Sequence, residues 1–130
     1  MLQLEQEFKE FLNDNFQFVE NKFGDRVHIY TSSSLVLRIV QDVNGFRSIE
    51  ISTIRRPDNW FDLSVIRSYI LNNEDYFKAL DFKIAYAFLI SYYQKVKALF
   101  DEEKYAATEK AISELRHLRA ERNYGYKRPK

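Results

Sequence analysis

Apolar positions recur at helical spacing at both ends of the chain and alternate at strand spacing between them. Leu4, Phe8, Phe11 and Leu12 share one helical face, with Glu5, Lys9 and Glu10 on much of the rest. This predicts a short amphipathic helix over residues 3–13. "NDN" then breaks it, "FQFVE" reads as extended, and "NKFGD" makes a turn around Gly24. "RVHIY", residues 26–30, is the next strand, closed by the polar "TSSS". "LVLRIVQDV" and "FRSIEISTI" are the clearest strand pair, with Asn44–Gly45 between them. Asn-Gly signals a two-residue type I′ turn. That turn sets Asp42 opposite Arg47, Ile39 opposite Glu50 and Arg38 opposite Ile51, so Arg38 and Glu50 fall on opposite faces of the sheet.

Pro57 has no amide hydrogen for a ladder and ends the last strand. A helix follows in "PDNWFDLSVIRSYIL", with Asn59 as its cap, Asp62 three residues on, and Leu63, Ile66 and Ile70 as its stripe. A longer helix carries Phe77, Leu80, Ile84, Phe88, Tyr92 and Leu99, helped by Ala85, Leu89 and Val96. Two bordering apolar faces make it the expected central support. "DEEK" marks a bend. A last helix presents a thinner stripe of Ala107, Ala111, Leu115 and Leu118, ending before Gly125 and Pro129. Consecutive strands without helical crossovers imply an antiparallel sheet. The expected fold is therefore α+β: a sheet of about three to four strands, with an N-terminal helix and C-terminal helices packed on one face. One domain is expected over 1–130, with 120–130 as a flexible basic tail.

Composition narrows the function classes. The 11 Phe, 9 Tyr and one Trp in 130 residues supply enough large side chains for a real core, and some are available for a partner surface. No cysteine is present, which removes disulfides, thiolate ligands and cysteine nucleophiles and agrees with a cytoplasmic setting. The first residues lack the basic start and apolar run of a signal peptide, and "IAYAFLISYY" is too short to span a bilayer. A net charge of +1 gives no global field for nucleic acid. The C-terminal segment does gather Arg116, Arg119, Arg122, Lys127, Arg128 and Lys130, interleaved with Tyr124 and Tyr126.

Catalytic chemistry finds little footing. His28 and His117 are the only histidines and neither has a recognisable triad around it in sequence. His28 reads as a strand side chain and His117 as a helix surface residue. No HExxH, calcium-loop or phosphate-loop spacing occurs. Adjacent carboxylates at Asp101–Glu103 point apart on a helix. No catalytic, metal or cofactor residue is assigned, and no cofactor is expected. Arg38 and Glu50 are the candidate buried or functional polar residues, because each puts charge into an apolar strand and a buried charge needs a partner. Trp60, Arg55, Arg56, Tyr124 and Tyr126 are the candidate protein interface, being of the types favoured at hot spots. The residues thus favour a small protein-binding module. A nucleic-acid accessory protein using the basic C-terminal segment is the alternative, and an enzyme ranks third.

The pattern "SSSLVLRIVQDVNGFRSIEISTI" followed by "WFDLSVIRSYI" resembles small bacterial immunity proteins that neutralise polymorphic or contact-dependent toxins. The resemblance covers about residues 16–71 and rests on arrangement. It implies a cytoplasmic inhibitor that binds a toxin domain directly, with neither cofactor nor turnover. It carries no binding residue over to this chain.

Overall fold

A computed structural model describes residues 4–72 and 81–125, with side chains apart from those of 122–124. The chain runs α1 (Gln6–Asn15), β1 (Gln17–Lys22), β2 (Val27–Thr31), β3 (Leu35–Gln41), β4 (Arg47–Thr53), β5 (Phe61–Asp62), α2 (Leu63–Leu71), α3 (Phe82–Leu99) and α4 (Tyr105–Tyr124). The five strands lie in sequence order and every neighbouring pair is antiparallel. The fold is α+β as expected, with one strand more than the upper expectation. That strand, β5, has only two residues; it falls inside a stretch whose pattern reads as the start of a helix.

Alternation along the strands builds the core. Leu35, Leu37 and Ile39 of β3 and Ile49 and Ile51 of β4 point to one face and are almost wholly buried. Fully burying one such side chain contributes about 1.5–3 kcal/mol. The helices supply the opposing layer. Phe8 of α1 meets Phe82 and Tyr86 of α3 at ring-centroid distances of 5.7 and 5.3 Å, and Phe11 meets Tyr93 at 5.0 Å. These are the edge-to-face and offset geometries that aromatic quadrupoles favour. α3 is the central support, through Ala85, Phe88, Leu89 and Val96. Its backbone leaves helical geometry at Tyr92 (φ −114°, ψ 19°). Ile84, expected in the stripe, is 49% exposed; Phe77 and Leu80 lie outside the described residues. Among the described side chains of α4 the buried ones are Tyr105, Thr108 and Ile112, and of the expected stripe Leu115 packs half-buried against the core. Ala107 is exposed. Tyr105 wins because its ring packs against Phe61 and Phe100, area that an alanine methyl does not offer.

The β3–β4 turn corrects the expected register. Asp42 faces Phe46 across three residues, not two. Its carboxylate accepts the N–H groups of Asn44 and Phe46, both at 2.9 Å, and its own N–H donates to the Phe46 carbonyl at 2.9 Å. The Gly45 N–H returns to the Asp42 carbonyl at 3.0 Å, and Gly45 alone of the loop takes positive φ, +84°. This is a type I turn, with Asp at its first position, followed by a left-handed glycine. The pairs become Gln41–Arg47, Ile39–Ile49 and Arg38–Glu50. The expected Asp42–Arg47 pair is not made. Arg47 instead donates to Glu5 Oε1 at 2.9 Å and lies over the Phe82 ring at 4.0 Å, tying β4 to both helices. Burial by itself would raise the Glu5 carboxyl, but the bonds from Arg47 and the backbone outweigh it and hold the group below its ordinary 4.5.

A second correction concerns α2. Asp62, not Asn59, is its cap: the carboxylate accepts Ser64 N–H at 2.8 Å and the Ser64 hydroxyl at 2.6 Å. Residues 61–62 are extended and pair with β4, which moves the helix start past them. Asn59 faces α4 instead, and its amide donates to the Tyr105 hydroxyl at 2.8 Å.

Candidate functional site

Opposite the core, the other set of alternating side chains forms a second face of the sheet. Ile29 of β2, Val36, Arg38 and Val40 of β3, and Ser48, Glu50 and Ser52 of β4 belong to it by register. None of them joins the main core cluster. Among the described residues, α1, α2 and α3 pack on the first face; on the second, Val36 and Ser52 are buried and Ile29, Arg38, Val40 and Glu50 are half-buried.

At its centre the shifted register puts Arg38 directly opposite Glu50. Arg38 Nε donates to Glu50 Oε1 at 2.7 Å, and the two side chains keep 30% and 22% of their exposure. The same guanidinium lies 4.2 Å from the centroid of Trp60. A planar guanidinium makes an in-plane bond and a stacking contact at once, which an ammonium does not. Trp60 reaches this face by alternation: it precedes Phe61, whose ring points into the core, on the short β5 edge. Two groups that look unrelated in sequence, the charged strand residues and the tryptophan, form one ladder, Glu50–Arg38–Trp60. The expected placement of Arg38 and Glu50 on opposite faces is overturned by the single extra residue in the turn.

Arg55 and Arg56 sit elsewhere, in the β4–β5 connection at one end of the sheet. Arg55 forms an exposed ion pair with Glu102 in the α3–α4 corner. Arg56 lies 4.2 Å over the Tyr105 ring. Its backbone is clamped from β4, where Ser52 Oγ donates to its carbonyl at 2.6 Å and Thr53 Oγ1 accepts its N–H at 3.1 Å. A cleft of about 260 Å³ lies here, bordered by Ser33, Ser34, Arg55, Arg56 and Tyr105 among others. Its arginines are already engaged by the chain. Tyr126 and the side chain of Tyr124 lie outside the described residues.

α4 contributes two residues that sequence reasoning did not connect with this region. Arg116 donates to the Trp60 carbonyl and stands 4.9 Å from the Phe61 ring. Arg119 donates to Ser64 Oγ at 2.7 Å. Their spacing of three places them on one helical face, the signal that was available. Together they fasten α4 over β5 and the start of α2.

His28 is a buried strand residue, with Phe18 at 5.9 Å between ring centroids and Asp25 Oδ1 3.9 Å from its Nε2. His117 is half-buried on α4. Among the described residues no group of three or more His, Cys, Asp or Glu could hold a metal ion, and no helix is long and apolar enough to cross a membrane. The fold and the site thus define an α+β protein with one sheet face under α1, α2 and α3 and a second that is half-buried at its centre and carries an ordered aromatic–arginine ladder. Comparison with family models, with curated proteins and with solved structures returns no match.

Proposed function

We propose that the protein is a binding module that engages another protein through the second face of its sheet, centred on Trp60, Arg38 and Glu50. The observation that supports this is the ladder itself. Tryptophan and arginine are the side chains most enriched at binding hot spots. Here both are held in place before any partner arrives, by a 2.7 Å bond and a 4.2 Å stacking contact, while still partly open to water. Pre-ordering lowers the side-chain entropy lost on association. Half-buried Ile29 and Val40 flank the ladder with apolar area.

The resemblance to immunity proteins makes a toxin domain the partner class and the cytoplasm the setting, with inhibition by direct binding and no turnover. The basic C-terminal segment is the basis of the nucleic-acid alternative. Two of its described arginines, Arg116 and Arg119, are engaged within the chain, which favours the protein reading.

The test is calorimetric titration with the toxin domain encoded beside this chain. Trp60→Ala is expected to weaken the complex by about 2 kcal/mol, roughly thirtyfold, with Arg38→Ala similar. Circular dichroism checks that both variants stay folded. Affinity unchanged by both substitutions would remove the second face from the interface. No complex with any neighbouring product would remove the toxin reading.

A further inference from the structure

The two edges of the sheet differ. β5 is two residues long, and its neighbour Trp60 has its carbonyl taken by Arg116. β1 is six residues long and all six are exposed. Which of its backbone groups face outward follows from the ladder. The Gln41 N–H bonds to the Arg26 carbonyl and the Ser32 N–H to the Leu35 carbonyl, so the even-numbered residues of this stretch of β2 point to β3. Val27, Ile29 and Thr31 therefore point to β1, where they meet Lys22, Glu20 and Gln17. Asn21 and Phe18, paired with His28 and Tyr30, direct their N–H and C=O groups away from the sheet.

We infer that β1 pairs with β1 of a second copy of this chain, antiparallel about a two-fold axis through Asn21, to make one continuous ten-stranded sheet. The backbone of Asn21 offers one outward donor and one outward acceptor, which is what a residue on such an axis exchanges with its own copy. The flanking positions carry the charge argument. Glu20 and Lys22 lie on the same face, on either side of Asn21, and approach each other to 3.2 Å within one chain. The two-fold sets Glu20 opposite Lys22 of the second copy, and Lys22 opposite Glu20 of the second copy. These are non-hydrogen-bonded pairs, where side chains approach most closely. A strand that was all acidic or all basic would repel its copy; this one is self-complementary. The irregularity between Phe18 and Glu20 limits the regular ladder to the segment around Asn21. Beyond it, Phe18, 50% exposed, comes towards the turn of the second copy, where Phe23, 75% exposed, stands at φ +55°. Because each copy uses its β1, the assembly closes as a dimer and does not propagate. The second face with Trp60 continues across the junction, so the inference does not depend on the proposed partner.

Sedimentation equilibrium of the full chain over a range of concentrations tests it. The expected result is a concentration-dependent monomer–dimer equilibrium that weakens with salt. Lys22→Glu sets like charges opposite each other and should raise the dissociation constant roughly tenfold, while Glu20→Lys combined with Lys22→Glu restores it. Asn21→Pro removes the outward N–H, which the folded monomer does not use, and should abolish the dimer. Hydrogen exchange at Asn21 should slow as concentration rises. A chain that stays monomeric throughout overturns the inference, including one that takes up an extended peptide of another protein on β1. So does a dimer unaffected by both Lys22→Glu and Asn21→Pro, or a charge swap that fails to restore pairing.

Discussion

Arg38 makes two contacts with one side chain, and each constrains the other. The bond to Glu50 fixes the guanidinium plane, and that plane lies over Trp60. A double-mutant cycle with Arg38→Ala and Glu50→Ala should return a coupling of about 0.5–1 kcal/mol, measured by urea unfolding and reduced by added salt. Repeating the cycle in a Trp60→Ala background should lower the coupling, because the ring no longer holds the guanidinium. An unchanged value would mean that the stacking adds no order. At this scale the sequence marked Arg38 and Glu50 as charges in apolar strands but not their relation. Charge in an apolar strand is visible in a string of letters; whether it lies beside its partner depends on a turn one residue longer than Asn-Gly suggests. The missed signal was Asp42, whose carboxylate binds two backbone N–H groups and selects the longer loop.

At the scale of elements, the start of α2 depends on Asp62. The residue ends β5 and caps the helix, so one side chain sits at the change from strand to helix. Asp62→Ala should cost about 1 kcal/mol in unfolding free energy. Asp62→Asn keeps an acceptor and should recover most of it. Asn59→Ala, which leaves the cap alone, is expected to loosen α4 instead, seen as faster hydrogen exchange near Tyr105. The sequence placed the cap three residues early because "PDN" reads as a helix start. Pairing of Phe61 with Ile51 decided otherwise: the buried Phe61 ring and the ladder bonds outweigh local capping preference.

For the molecule as a whole, burial of aromatic hydroxyls sets a pH limit. Burial is the chief reason that Tyr30, Tyr86, Tyr93 and Tyr105 all titrate above the ordinary 10.0. For Tyr86 the nearby Glu7 carboxylate adds to the effect. Unfolding releases these phenols to ionise near 10, while the folded chain still holds their protons. Above that pH the folded state binds more protons than the unfolded state, so stability falls as pH rises. Denaturant midpoints should therefore be insensitive to these groups below roughly pH 9 and decline above about pH 10. Tyr93→Phe should make the alkaline decline shallower; an identical slope in the variant would exclude that hydroxyl from the effect.

Periodicity and turn signals determined the order of the elements apart from β5, the antiparallel meander, the central helix and most of the core, because alternation and helical spacing are local consequences of which face is buried. They also singled out Arg38 and Glu50 as charges in apolar strands, while Trp60 stood out only by residue type. Tertiary structure decided what they meet. A slip of one residue in a strand exchanges its two faces, and the Asp42 turn made that choice. The two-residue β5 brought Trp60 onto the same face, and Arg116 and Arg119 fastened α4 to β5 and the start of α2. These are contacts between residues far apart in the chain, for which a one-dimensional pattern has no distance.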